Sequence, residues 1–126
     1  MTACLALSGC GASARTGRPV HITLEDFKIV APAHIASGDV DLVVHNKGPD
    51  AHELIVVRAT KPLPMRTDGV TADEDAFEKI TVAALEPGEP GGTRHVHLNL
   101  KPGHYVLICN MSGHYLGGMR TPVDVT

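Results

Sequence analysis

Apolar and polar positions along most of this chain alternate with the two-residue period of β-strands. Ile22 and Leu24, followed by Ile29-Val30, predict a first strand interrupted near Asp26-Phe27. Ser37-Gly38 marks a turn, after which Val40, Leu42 and Val44 alternate with Asp41, Val43 and His45. Asn46-Lys47-Gly48-Pro49-Asp50 is dense in turn formers and predicts a loop. The stretch from His52 to Val57 is apolar on both parities after Glu53, as in a strand covered on both faces. Alternation returns from Arg94 to Leu100, with Val96, Leu98 and Leu100 opposed to His95, His97 and Asn99. Beyond a tight turn at Lys101-Pro102-Gly103, Tyr105, Leu107 and Cys109 share one face and His104, Val106 and Ile108 the other. A last strand is predicted over Arg120 to Val125.

Residues 61–92 interrupt this texture. Prolines and glycines bracket an acidic run, Asp73-Glu74-Asp75 with Glu78. Acidic side chains early in a short helix suit the positive end of its dipole, so one or two helical turns are expected there. The segment reads as an insertion between strands and its acidic run as a solvated face, with partner docking as the sharper alternative. Six to eight short strands and this insertion predict an all-β fold, a Greek-key β-sandwich with a short helical insertion, over residues 20–126.

Length and composition narrow the function. A chain of 126 residues suits one domain. A formal charge of −3 with no Lys/Arg cluster excludes a basic nucleic-acid-binding face. No apolar run approaches the roughly 20 residues needed to cross a bilayer as a helix. Eight histidines and three cysteines stand beside only two tyrosines, two phenylalanines and no tryptophan, so potential metal ligands outnumber aromatic bulk.

The chemistry concentrates in Cys109-Asn110-Met111-Ser112-Gly113-His114-Tyr115-Leu116-Gly117-Gly118-Met119. One loop between two strands there offers a thiolate, an imidazole and a thioether, with four residues in each gap. Upstream, His52 at a loop-to-strand junction can supply a second imidazole. Two His and one Cys with a weak axial Met are the donor set of a blue-copper electron-transfer site. The soft sulfur donors favour copper over magnesium or calcium, and Gly113, Gly117 and Gly118 give the loop freedom to gather ligands.

These residues resemble the cupredoxins, the blue-copper proteins. The segment Asn46 to Leu54 looks like their first-ligand segment, and Pro102 to Cys109 with the His114 and Met119 loop looks like their ligand loop. The four-and-four spacing is nearer to the rusticyanin, auracyanin and sulfocyanin branch than to plastocyanin. The resemblance implies one copper ion held by His52, Cys109, His114 and Met119, a Greek-key sandwich, and one-electron transfer outside the cytoplasm. It also implies His114, on the exposed loop, as the electron's exit. Plastocyanin and azurin carry Asn directly after the first histidine. Here that position is Glu53, so support for the cysteine-bearing loop is expected from elsewhere.

The other histidines lack this spacing. His95 and His97 lie on the polar side of a strand and read as solvated surface, with an exposed secondary metal site as the alternative. His21, His34, His45 and His104 read as surface or loop residues. Met111, between two turn-like residues, is left out of the ligand set.

Leu7-Ser8-Gly9-Cys10 resembles a bacterial lipobox, which implies a partial signal segment over 1–9, lipid on Cys10 and a flexible tether over 10–19. The expected protein is a monomeric electron carrier, not an enzyme, lipid-anchored at the outer face of the cell membrane or in the periplasm and meeting redox donor and acceptor proteins. Copper handling as a chaperone or scavenger through the same ligands is the alternative. An oxidase would need more copper centres, and His-X-His occurs once, at His95-Val96-His97. A dinuclear copper centre would need two cysteines on the ligand loop, which has one. Structural zinc prefers Cys and His without Met.

Overall fold

A computed structural model describes residues 17–126. Cys10, the expected lipid site, lies outside these residues, as do the signal segment and most of the tether. Two sheets face one another. The first has strand order β2-β1-β4-β7, from β1 (Arg18–Glu25), β2 (Lys28–Val30), β4 (Gly38–Gly48) and β7 (Thr93–Leu100). The second runs β3-β9-β8-β5-β6, from β3 (His34–Ile35), β5 (His52–Val57), β6 (Thr81–Gly88), β8 (Gly103–Ile108) and β9 (Arg120–Val125). Two pairings, β1 with β4 and β3 with β9, are parallel, and the others are antiparallel.

Alternation builds the inter-sheet core. Val20, Ile22, Leu24, Val40, Leu42 and Val44 point inward from the first sheet, and Leu54, Val56, Tyr105, Leu107, Val123 and Val125 meet them from the second. Each such side chain, fully buried, contributes roughly 1.5–3 kcal/mol of transfer free energy. The break expected near Asp26-Phe27 is a hairpin turn: β2 folds back on β1 in the register Leu24↔Ile29. Phe27 sits there at φ 59°, a left-handed conformation unusual for a bulky residue.

A second apolar cluster explains why β5 is hydrophobic on both parities. Ile55 and Val57 face away from the inter-sheet core and, with Ile108, pack against Leu63, Ala72, Phe77 and Tyr115. Residues 61–80 thus roof the outer face of the second sheet. Within them α1 (Glu74–Phe77) and a 3-10 turn (Glu78–Ile80) form the expected helical turns, with Phe77 buried and Glu74, Asp75 and Glu78 exposed.

The strand prediction needs two corrections. Residues 81–88, read as part of the insertion, form β6 and pair with β5. Their composition hid this, because an edge strand with small residues and Pro87 shows little contrast between its faces. The predicted loop at 46–50 begins late: β4 runs on to Gly48. Buried Asn46 explains that extension. Its amide donates to the Asp50 and Gly88 carbonyls at 3.0 and 2.9 Å and accepts from Gly48 N–H at 2.8 Å, which ties the approach to His52 onto the end of β6.

Candidate metal centre

Three of the four expected ligands converge at one end of the sandwich. His52 opens β5, Cys109 directly follows β8, and His114 begins a short helix, α2 (His114–Gly117). His52 Nδ1 lies 3.2 Å from His114 Nδ1, and Cys109 Sγ lies 4.0 Å from the former and 3.5 Å from the latter. By triangle geometry these separations place a point about 2.1 Å from all three atoms. Bonds from a borderline metal to imidazole and thiolate span about 2.0–2.3 Å. His52 and Cys109 are fully buried and His114 is partly exposed.

The loop's backbone explains the convergence. Cys109 N–H donates to the Met119 carbonyl at 3.1 Å and closes the loop, while Met119 N–H donates to the His114 carbonyl at 3.0 Å. Gly113 and Gly118 flank α2 at φ 79° and 120°, a region that favours glycine. Met119 is fully buried in the inter-sheet cluster that also contains Cys109.

Electrostatics favour neutral imidazole and an uncharged thiol when no cation is present. Burial, reinforced by His114, lowers the His52 pKa, and hydrogen bonding to Asp26 works against that. Burial pushes the Cys109 thiol up. Neutral imidazole is the ligating form, and a cation is what turns this buried thiol into a thiolate. The donor set therefore fits copper: one soft sulfur and two imidazoles around a largely buried centre, with a second sulfur on the same loop.

Several residues around this centre were not singled out by sequence. Asp26, in the β1–β2 turn, accepts from His52 Nε2 at 2.9 Å, leaving Nδ1 as the free nitrogen turned towards Cys109 and His114. This carboxylate–imidazole pair fixes tautomer and ring orientation. The neighbouring Phe27 ring meets His114 edge-on, with centroids 5.7 Å apart at 66°. A Cβ on Gly117 would come within 2.3 Å of that phenyl ring, so only glycine lets the turn seat there.

Glu53 corrects the expectation that loop support comes from elsewhere. Its own carboxylate accepts from Asn110 N–H at 2.9 Å and holds the residue after Cys109. Asn110, read from sequence as a turn residue, is buried. Its side chain accepts from Ala72 N–H at 2.7 Å and donates to the Ala72 carbonyl at 3.0 Å and to Glu74 Oε1 at 2.7 Å. The ligand loop is thereby bolted to the roof formed by residues 61–80.

Burial, partly opposed by the Asn110 N–H and reinforced by Glu74 and Glu86, raises the Glu53 pKa. A carboxyl raised in the folded state adds stability below its unfolded pKa, and that contribution is lost as pH climbs through the folded value. Glu53→Gln keeps an oxygen to accept from Asn110 and removes the charge. In urea unfolding of the copper-free protein, its stability relative to wild type should therefore increase between about pH 4 and pH 7. An unchanged or opposite trend would contradict this assignment.

No family model matches the chain, and no curated protein matches it by sequence. Solved structures do match. Dithionite-reduced auracyanin from the photosynthetic bacterium Roseiflexus castenholzii is 18% identical, with a TM-score of 0.62 over 88% of this chain and 98% of that one. Auracyanin B is 20% identical, with a TM-score of 0.64 over 90% and 92%. Rusticyanin from Thiobacillus ferrooxidans is 18% identical, with a TM-score of 0.61 over 88% and 79%. At such identities the likeness is one of fold. The chain has the cupredoxin fold of auracyanin and rusticyanin, and at the end of its sandwich His52, Cys109 and His114 form a cluster able to hold a type 1 copper ion.

Proposed function

We propose that this protein is a mononuclear type 1 copper protein that carries single electrons outside the cytoplasm. The observation that carries the reading is the triangle of His52, Cys109 and His114 donor atoms around one ion-sized point, with the thiol fully buried. The fold shared with rusticyanin, which is described as a copper protein, supports it. A copper ion held there supplies a couple between Cu(I) and Cu(II).

The chain's own residues do the rest. His52 and Cys109 sit at strand ends, anchored by Asp26 and by the Glu53 and Asn110 bonds, so the donors have little room to rearrange between oxidation states. Met119, buried at the end of the same loop, would be the fourth donor to the ion in this reading. His114, the only one of the three clustered ligands with solvent exposure, is the contact for redox donor and acceptor proteins. The reading includes a monomer tethered to the outer face of the membrane through lipid on Cys10. No helix among the described residues is long and apolar enough to cross a membrane, which is compatible with such a tether.

Voltammetry of the copper-loaded protein, paired with the rate of copper loss to a chelator, tests the carrier role. A reversible one-electron couple with slow copper loss is expected. Rapid Cu(I) release with sluggish electron exchange would instead install the copper-handling role.

A further inference from the structure

The outer face of the first sheet carries a second group of side chains of metal-ligating type, outside the ligand loop. His95 and His97 are two residues apart on β7 and point the same way, and Asp41 on β4 is the direct cross-strand partner of His97. The two imidazoles stand nearly parallel, with centroids 6.4 Å apart at 20°. His95 donates Nδ1–H to Asp41 Oδ2 at 2.8 Å. His97 Nδ1 lies 3.5 Å from the other carboxylate oxygen, Oδ1, which is shielded from solvent and has no hydrogen-bond partner.

An aspartate on the outer face of a sheet would normally extend into water. Asp41 is instead 7% exposed, and its carboxylate is flanked by two histidines that are themselves about half exposed. A buried, unpartnered carboxylate oxygen carries a desolvation cost that its surroundings are expected to offset. Its position behind two imidazoles reproduces the carboxylate–histidine–metal arrangement, in which the carboxylate accepts one ring N–H and leaves the other nitrogen bare. We propose that His95 and His97, backed by Asp41, form a second site for a divalent transition-metal ion.

In this site the Nε2 atoms of both rings bind the ion, and water completes its shell. Asp41 takes Nδ1–H from each ring, so closure of the 3.5 Å gap to His97 gives Oδ1 its missing partner. The ring centroids stand 6.4 Å apart, so the rings must lean together by roughly 1–2 Å apiece to share an ion at bond lengths of about 2 Å. Their exposure lets them do so with little loss of packing. Cross-strand alternation places Asp39 and Asn99 beside them on the same face, and the one Lys or Arg on an outward position of β4 or β7 is Lys47, about 20 Å along β4 from Asp41 at roughly 3.3 Å per residue, so no fixed positive charge stands beside the pair. Two imidazoles with oxygen donors favour Cu2+ above Zn2+ by the usual affinity order of first-row ions. Unlike the buried cluster, this site has no thiolate, and an ion held there exchanges with solvent.

The test uses the full chain, loaded with one equivalent of Cu2+ and titrated with a second while electron paramagnetic resonance is recorded. The second ion is expected to bind stoichiometrically at micromolar protein, with wide copper hyperfine splitting and nitrogen superhyperfine structure. In H95Q/H97Q its affinity falls at least about tenfold, and H97Q alone gives a partial loss. Equal affinity in wild type and H95Q/H97Q, or a second ion without nitrogen coordination, overturns the proposal. Failure of the carrier reading would appear elsewhere, as a first equivalent that gives no intense blue absorption. The difference between wild type and H95Q/H97Q is read on the wide-splitting signal and decides the surface site in either case.

Discussion

Replacing Cys109 with serine is expected to abolish the intense blue absorption of the copper-loaded protein and to widen its copper hyperfine splitting. The band arises from charge transfer out of a thiolate sulfur, and no other cysteine lies among the described residues. A serine hydroxyl is a hard donor and stays protonated at neutral pH, so it can replace neither the charge nor the covalency of the sulfur. The Cys109 position is fully buried, so an unpartnered hydroxyl there also costs about 1–3 kcal/mol. Circular dichroism of the variant separates loss of a ligand from loss of the fold. A folded Cys109→Ser protein that kept the blue band would remove Cys109 from the centre.

Asn110→Ala should give the largest loss of stability among single changes near the site. The substitution leaves the buried Ala72 N–H and carbonyl without the partners they have at 2.7 and 3.0 Å, and releases Glu74. Each orphaned group costs about 1–3 kcal/mol, so the sum is about 2–6 kcal/mol. For a domain of this size that lowers Tm by about 6 to 25 °C. The backbone bond from Asn110 N–H to Glu53 survives, so the ligand loop keeps one tether while losing its attachment to the roof. Calorimetry of the copper-free protein measures the loss directly. A shift of less than about 3 °C would show that residues 61–80 hold their place without this amide.

How much of this was legible in the chain depended on whether the signal was local. The inward faces of β1, β4, β7, β8 and β9 follow from two-residue alternation within each strand. Cys109, His114 and the sulfur of Met119 could be picked out because their spacing lies within one loop, and His52 because it precedes a strand apolar on both faces. Structure brings the first three of the donors His52, Cys109, His114 and Met119 to ligand distance of one another. Missing from the sequence reading were contacts between segments far apart in the chain. Asp26 and Asn110 are ordinary turn formers locally, and only the folded sheets bring the first against His52 and the second against Ala72. Even Glu53 suggested a lost support, because nothing local shows that its longer side chain reaches Asn110.

The β1–β2 hairpin bears on whether the centre could be moved to another protein. Asp26 orients one imidazole and Phe27 abuts the other, while Gly117 is kept free of a side chain so that the turn can sit against α2. Grafting residues 109–119 alone onto a different sandwich would transfer Cys109, His114 and Met119 without the groups that aim His52 and cover His114. The transferable unit is an assembly of four sequence-distant pieces, the first hairpin turn, the start of β5, the Ala72–Glu74 roof and the ligand loop. A recipient scaffold would have to supply all four.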